Sequence, residues 1–279
     1  MRVITAKEIT EKLTEAFISA CIDIPSDVMN SLNSAIEKEE SALSKSVLEK
    51  IVANDLLAKE KRMPTCQDTG ICVCFAEIGY DVKIDGDLYD AVNKAVKNAY
   101  EKAYFRKSVV AHPLNRVNTN DNTPAIVHVK MVAGDKIKFT VAPKGAGSEN
   151  MSALKMLIPA DGLEGVKKFV LDTVKNAGGK PCPPIVVGVG IGGNFEKCAM
   201  LAKEALLRNI GDISSDKISA KLEEELLAKI NDLGIGAMGF GGTKTCLAVK
   251  VNAYPCHIAS LPVAVNIQCH ASRHKTIVI

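Results

Sequence analysis

The 279-residue sequence has no tryptophan, no C-x-x-C pair and no block of like charge. Nor does it hold an apolar run near the roughly 18–20 residues that a membrane span needs. The missing cysteine pair removes zinc ribbons, zinc fingers and thioredoxin-like redox centres. Its 35 basic and 32 acidic residues leave a formal net charge of +3. That balance excludes a polyanion-binding tail and argues against nucleic acid as a partner, yet would not repel a small anion. With 20 Gly, 11 Pro and a 47% hydrophobic composition, collagen-like repetition and disorder are excluded as well. The N-terminus turns polar at once and lacks the apolar stretch of a signal peptide. No membrane association is expected, and a cytoplasmic location is.

What is present is α/β patterning. Ile9, Leu13, Ala16, Phe17 and Cys21 recur at helical spacing, as do Val28, Leu32 and Ala35, then Leu48, Ile51, Val52, Leu56 and Leu57. Asp87 is placed to cap a fourth helix. Residues 125–131 and 136–141 read as the two strands of a hairpin, and a helix is expected after Ser148. Further helices are expected over 163–176, 194–207 and 217–233, with strands at 185–189, 245–251 and 261–267. These elements predict one domain over residues 1–279, with mixed β-sheets surrounded by helices and a helical N-terminal subregion at 1–62.

Nine cysteines in a reducing compartment call for an explanation other than disulfides, and their odd number prevents complete pairing. Cys21, Cys72, Cys74, Cys198 and Cys246 continue apolar helical or strand patterns and read as core filler. Cys66, Cys182 and Cys269 stand in irregular backbone, Cys182 between prolines, where functional side chains concentrate. Cys256, in Tyr-Pro-Cys-His, fits neither group. Three distant loop thiols suit an iron–sulfur cluster with one open iron, although spacing alone does not select them from nine.

Gly188-Val-Gly190-Ile-Gly-Gly193 satisfies the dinucleotide-binding glycine pattern after a strand. No acidic strand end follows at about twenty residues, so a tight turn with close helix packing is the better reading. Polar side chains gather in loops at 112–123, 144–150 and 234–244. The last two are glycine-rich, and the 144–150 loop opens a helix, a setting that favours an anion.

Together, Cys-Gln-Asp-Thr-Gly (66–70), Asn-Thr-Asn-Asp-Asn-Thr-Pro-Ala (118–125) and Pro-Lys-Gly-Ala-Gly-Ser-Glu-Asn (143–150) resemble class I, iron–sulfur-dependent fumarate hydratases. So do Gly-Gly-Lys-Pro-Cys-Pro-Pro (178–184), the glycine segment 188–193, and His-Ile-Ala-Ser-Leu-Pro (257–262) leading to Cys269. The resemblance is to the α subunit of the two-subunit form, with L-tartrate dehydratase α subunits as close relatives. It implies a [4Fe–4S] cluster on Cys66, Cys182 and Cys269, and a dicarboxylate substrate contacted by Gln67 and Asp68. It also implies that Arg116 binds a carboxylate, that Lys144, Gly145 and Gly147 line the pocket, and that His257 belongs to it. Ala146 and Cys256 depart from the family pattern. The implied reaction is hydration of fumarate to (S)-malate, a step of the tricarboxylic acid cycle, with Asp68 exchanging a proton with the hydroxyl. A separate β subunit, in an α2β2 heterotetramer, is expected to complete the active site. The alternatives are tartrate dehydration, a nucleotide-binding module on Gly188–Gly193, and a non-catalytic scaffold.

Overall fold

A computed structural model describes residues 1–279. The chain divides into two compact units, each discontinuous in sequence. Unit 1 comprises residues 1–25, 54–146 and 273–279, and unit 2 comprises 26–53 and 147–272. Neither unit is a continuous stretch, which is why composition and linker signals along the chain show no boundary. The 1–62 helical region contributes to both.

In unit 1, β1 (Arg2–Thr5) leads into α1 (Ala6–Ile22), and Thr5 caps that helix by accepting the Glu8 N–H. The central strand β2 (Ile71–Gly79) is followed by β3 (Val82–Asp85), which pairs with β1, and by α4 (Leu88–Lys102), capped by Asp87. Strands β4 (Ile126–Val132), β5 (Ile137–Lys144) and β10 (Lys275–Val278) complete a sheet of order β10-β5-β2-β4. One face of β2 carries Cys72, Cys74, Ala76 and Ile78 into a core with Phe17 of α1, Tyr100 of α4 and Phe139 of β5.

The expected hairpin at 125–141 does not form. Strand β2 lies between its two arms, parallel to β4 and antiparallel to β5. Alternation of apolar residues marks strands but says nothing of their neighbours, and here the β4–β5 connection crosses the end of β2. Gly79 permits that crossing, because a Cβ there would stand 2.2 Å from the Gly134 carbonyl oxygen.

Helix α3 (Ala42–Lys61) passes from unit 2 into unit 1. Its buried stripe is Leu48, Ile51, Asp55 and Ala58, whereas Leu56 and Leu57, expected in the stripe, are exposed. The 3–4–3 spacing is regular once an acidic residue is admitted to it, which an apolar search does not do.

Unit 2 has helices on both faces of a sheet of order β6-β9-β7-β8. It contains α2 (Ser26–Lys38), the first part of α3, a four-residue helix α5 (Ala146–Glu149, from its second residue), β6 (Ala153–Leu157) and α6 (Gly162–Ala177). Then come β7 (Ile185–Gly192), α7 (Phe195–Ala205), α8 (Lys217–Asn231), β8 (Cys246–Tyr254) and β9 (Leu261–Gln268). The helix expected after Ser148 is therefore mostly the strand β6. Val187 and Val189 of β7 join the core formed with α6 and α8. On the opposite face Gly188 and Gly190 let α7 approach. Added Cβ atoms there would stand 2.1 Å from the Ala202 oxygen and 2.0 Å from the Cys198 oxygen. These two glycines lie inside the strand and serve helix packing, so they are not free to cradle a pyrophosphate.

Candidate active site

The cysteines separate by environment. Cys21, Cys72, Cys74, Cys198 and Cys246 are buried, Cys66, Cys182 and Cys269 are half-buried, and Cys256 is exposed; none forms a disulfide. Burial pushes the thiols of Cys21, Cys74 and Cys246 up to about 12 and raises those of Cys72 and Cys198 as well. Core thiols in that state stay protonated near neutrality and make poor ligands or nucleophiles.

In unit 1, Cys66, Gln67 and Asp68 lie on the loop between α3 and β2. Thr65 opens it, its N–H donating to the Cys21 carbonyl (3.1 Å) and its carbonyl accepting from Asn54 (2.9 Å). The Asp68 carboxylate is fixed at both oxygens. Oδ1 accepts the Gly70 N–H (3.0 Å) and Oδ2 accepts the Ala146 N–H (2.9 Å). Gly70 has φ +74°, and a Cβ on it would stand 2.6 Å from the Lys144 carbonyl carbon. β-Pairing of Ile71 with Lys144 thus sets the 66–70 loop against Lys144 and Gly145. Ala146, a departure from the family pattern, opens α5 without positive φ, so an alanine fits there.

The asparagine-rich loop is a brace. Buried Asn122 accepts the Ser108 N–H (2.7 Å) and donates to the Gly70 carbonyl (3.1 Å). Asn118 and Asp121 close local Asx turns on Asn120 and Thr123. Arg116 stands at the exposed tip, with φ +59° and a 3.4 Å contact to the Pro113 carbonyl. From below, Tyr100 donates to the carbonyls of Thr69 (2.6 Å) and Gly70 (3.0 Å). Arg273 donates to the Thr65 hydroxyl (3.3 Å) and to the Asp68 carbonyl. Neither Tyr100 nor Arg273 carries a motif. The one sequence signal is a tyrosine within the apolar stripe of α4.

In unit 2, Cys182 precedes β7 and Cys269 follows β9. These strands are antiparallel neighbours with Val186 opposite Gln268, so both cysteines emerge at one end of the sheet. The His270 N–H donates to the Cys182 carbonyl (3.2 Å). Cys182 has φ +54°, and the Gln268 amide donates to the Cys269 sulfur (3.6 Å). The glycine-rich segment 234–245 reaches the same end because β8 runs parallel to β7, and 147–152 does so because β6 runs antiparallel to β9. Gly147 belongs to that segment, where a Cβ would stand 4.0 Å from the Lys180 carbonyl oxygen. The 178–184 loop rests on the glycine segment through Met238, whose N–H donates to the Pro183 carbonyl (2.8 Å). Glu39 holds that segment in turn, accepting from Thr243 and Lys244 (2.9 and 3.0 Å). Nothing in the local sequence of Glu39 marks this role.

His257 is placed differently. It lies between β8 and β9, at the end of the sheet opposite Cys182 and Cys269. The nine residues of β8 put about 27 Å between those ends. Within unit 2 the structure therefore brings together Cys182, Cys269 and Gly147, and separates His257 from them. In unit 1 it brings together Gln67, Asp68, Lys144 and Gly145, with Arg116 on the braced loop tip.

No group of three or more His, Cys, Asp or Glu side chains is arranged to hold a metal ion. The donor chemistry still fits a thiolate-bound cluster. The three loop thiols are accessible where five others are buried, and two share a strand end.

Residues 10–278 match the family described as Fumarate hydratase (Fumerase). The chain belongs to that family. Its members are hydro-lyases, and so is this chain. It is 48% identical over 273 residues to the protein named "Putative L(+)-tartrate dehydratase subunit alpha" of Methanocaldococcus jannaschii, covering 95% of each chain. It is 32% identical over 281 residues to proteins named "L(+)-tartrate dehydratase subunit alpha" of Escherichia coli and Shigella boydii, covering 98% of this chain and 92% of theirs. No helix of this hydro-lyase is long and apolar enough to cross a membrane.

Proposed function

We propose that this hydro-lyase is an α subunit that, with a β subunit in an α2β2 assembly, catalyses reversible hydration of fumarate to (S)-malate. The observation that carries the reading is the fixed carboxylate of Asp68, oriented by two backbone N–H groups beside Lys144 and Gly145. Each oxygen accepts one hydrogen bond and keeps lone-pair capacity for a proton. Asp68 then exchanges a proton with the substrate hydroxyl as it leaves or arrives. Gln67, Arg116 and Lys144 supply donors for the two substrate carboxylates, and the backbone of Gly145 and Gly147 lines the pocket. Cys66, Cys182 and Cys269 are the thiolates that would hold a [4Fe–4S] cluster. When bound, its open iron supplies Lewis acidity toward a carboxylate and hydroxyl oxygen. The base acting at the neighbouring carbon is assigned to the β subunit.

Dehydration of L-tartrate to oxaloacetate is a second reading, favoured by the names of the relatives. Both reactions remove a hydroxyl beside a carboxylate, so Asp68 keeps the same role. Assaying the assembled enzyme on malate, fumarate and L-tartrate separates them. Fumarate hydration at least tenfold above tartrate dehydration in kcat/KM is the expected result, and the reverse ratio establishes the second reading.

A further inference from the structure

Arg273 and Asp55 are both buried, at 5% and 2% relative exposure, and neither belongs to a motif. Asp55 lies on the buried stripe of α3, where burial raises its carboxyl to about 6 against a partial lowering by the Asn54 side chain. The Arg273 guanidinium interacts with it electrostatically. A lone buried carboxylate is costly, and so is a buried guanidinium, and each offsets part of the cost of burying the other. What the guanidinium holds is specific. It donates to the Thr65 hydroxyl and to the Asp68 carbonyl, the two residues that flank Cys66 and Gln67. Thr65 is further tied to Cys21 and Asn54, and Asp68 to Gly70 and Ala146.

We propose that Arg273 is a positioning residue, a bracket whose guanidinium spans the Cys66–Gln67 dipeptide and sets how Cys66 and Asp68 are presented, with Asp55 as its buried counter-charge. The catalytic meaning of the bracket rests on the function proposed above, but its existence does not. The planar guanidinium reaches two acceptors at once, and a lysine ammonium in its place is a point charge on a different stem. Arg273→Lys therefore keeps the charge opposite Asp55 and loses the two-point grip. Arg273→Met loses both.

Amide hydrogen exchange by mass spectrometry on the full chain, without cluster or partner, reads the bracket directly. In Arg273→Met, exchange in the peptide covering 65–70 accelerates by about tenfold or more, while the peptide covering 178–184 stays within twofold. The same variant loses thermal stability because Asp55 is left without a counter-charge. Adding Asp55→Asn to it recovers stability but not the protection of 65–70. Arg273→Lys gives near-parental stability with an intermediate exchange rate. That split between stability and loop protection is what a merely structural ion pair would not produce. If Arg273→Met fails to fold, the double variant and Arg273→Lys carry the same readout. Unchanged exchange over 65–70, or a double variant that regains loop protection along with stability, overturns the bracket and leaves the hydro-lyase reading intact. A chain that binds no cluster overturns the cluster assignment and leaves the bracket intact.

Discussion

Asp68→Asn lowers turnover of the assembled enzyme by about 10²–10⁴-fold, the range for loss of a positioned acid–base group. The iron–sulfur absorption persists. The substitution is nearly isosteric, and the amide oxygen still accepts one of the two N–H groups that orient this side chain, from Gly70 or Ala146. Its NH₂ faces the other without accepting, so stability falls by about 1 kcal/mol. What the amide cannot do is exchange a proton with a leaving hydroxyl near neutral pH. Steady-state rates, with iron and sulfide content measured on the same preparation, check this. Full turnover with the cluster intact would remove Asp68 from the chemistry and reduce it to a loop-turning residue.

Glu39→Ala has the largest expected effect on stability, a loss of about 3 kcal/mol or more. The buried carboxylate accepts five hydrogen bonds. They come from the N–H groups of Ser41, Thr243 and Lys244 and the hydroxyls of Ser44 and Thr243. Ser44 in turn accepts the Ala237 N–H (3.1 Å), so the segment 237–244 is held at both ends. Gly242, at φ +137°, admits this approach, since a Cβ would stand 2.7 Å from both the Glu39 carboxylate and the Ser44 hydroxyl. Burial alone would raise the Glu39 pKa, but the hydrogen bonds outweigh it and bring it down from 4.5 to about 2. A depressed carboxylate contributes stability that is fully present above its unfolded pKa and is lost as pH falls through the folded one. Urea denaturation of the parent therefore shows a loss between pH 4.5 and about 2 to which Glu39 contributes. Glu39→Gln, with one acceptor oxygen, is less stable at pH 7 and loses that share of the slope. Equal midpoints for Glu39→Ala and parent would show that the segment is held by other contacts.

Much of this architecture was legible in the residues, and the exceptions have physical causes. The cap at Asp87 acts locally, and the five cysteines in apolar patterns are buried, because a period of 2 or 3.6 reports on one face of one element. The expected 125–141 hairpin does not form because pairing is non-local: β2 (Ile71–Gly79), well ahead of both arms in the chain, separates them. The stripe through Asp55 is not visible in the sequence, because a search for apolar periodicity passes over a buried charge. Glu39, Tyr100 and Arg273 act on backbone carbonyls and N–H groups far away in sequence, so no spacing announces them. The motif segments single out Cys66–Asp68, Arg116, Lys144–Gly147, Cys182, Cys269 and His257 as expected site residues. They could not show that His257 lies at the opposite end of the unit 2 sheet from both of its cysteines, which is a property of strand direction.

On the function proposed above, Cys66, Cys182 and Cys269, and not the buried cysteines, hold an iron–sulfur cluster. Anaerobic reconstitution of the assembled enzyme with iron and sulfide, followed by iron and sulfide analysis and the visible spectrum, tests it most directly. The parent and Cys246→Ala should take up a full complement and show the broad visible absorption of an iron–sulfur cluster. Cys66→Ser, Cys182→Ser and Cys269→Ser should each lose most of it while staying folded. A colourless, iron-free parent, or full uptake by any of the three serine variants, would rule out this set of ligands.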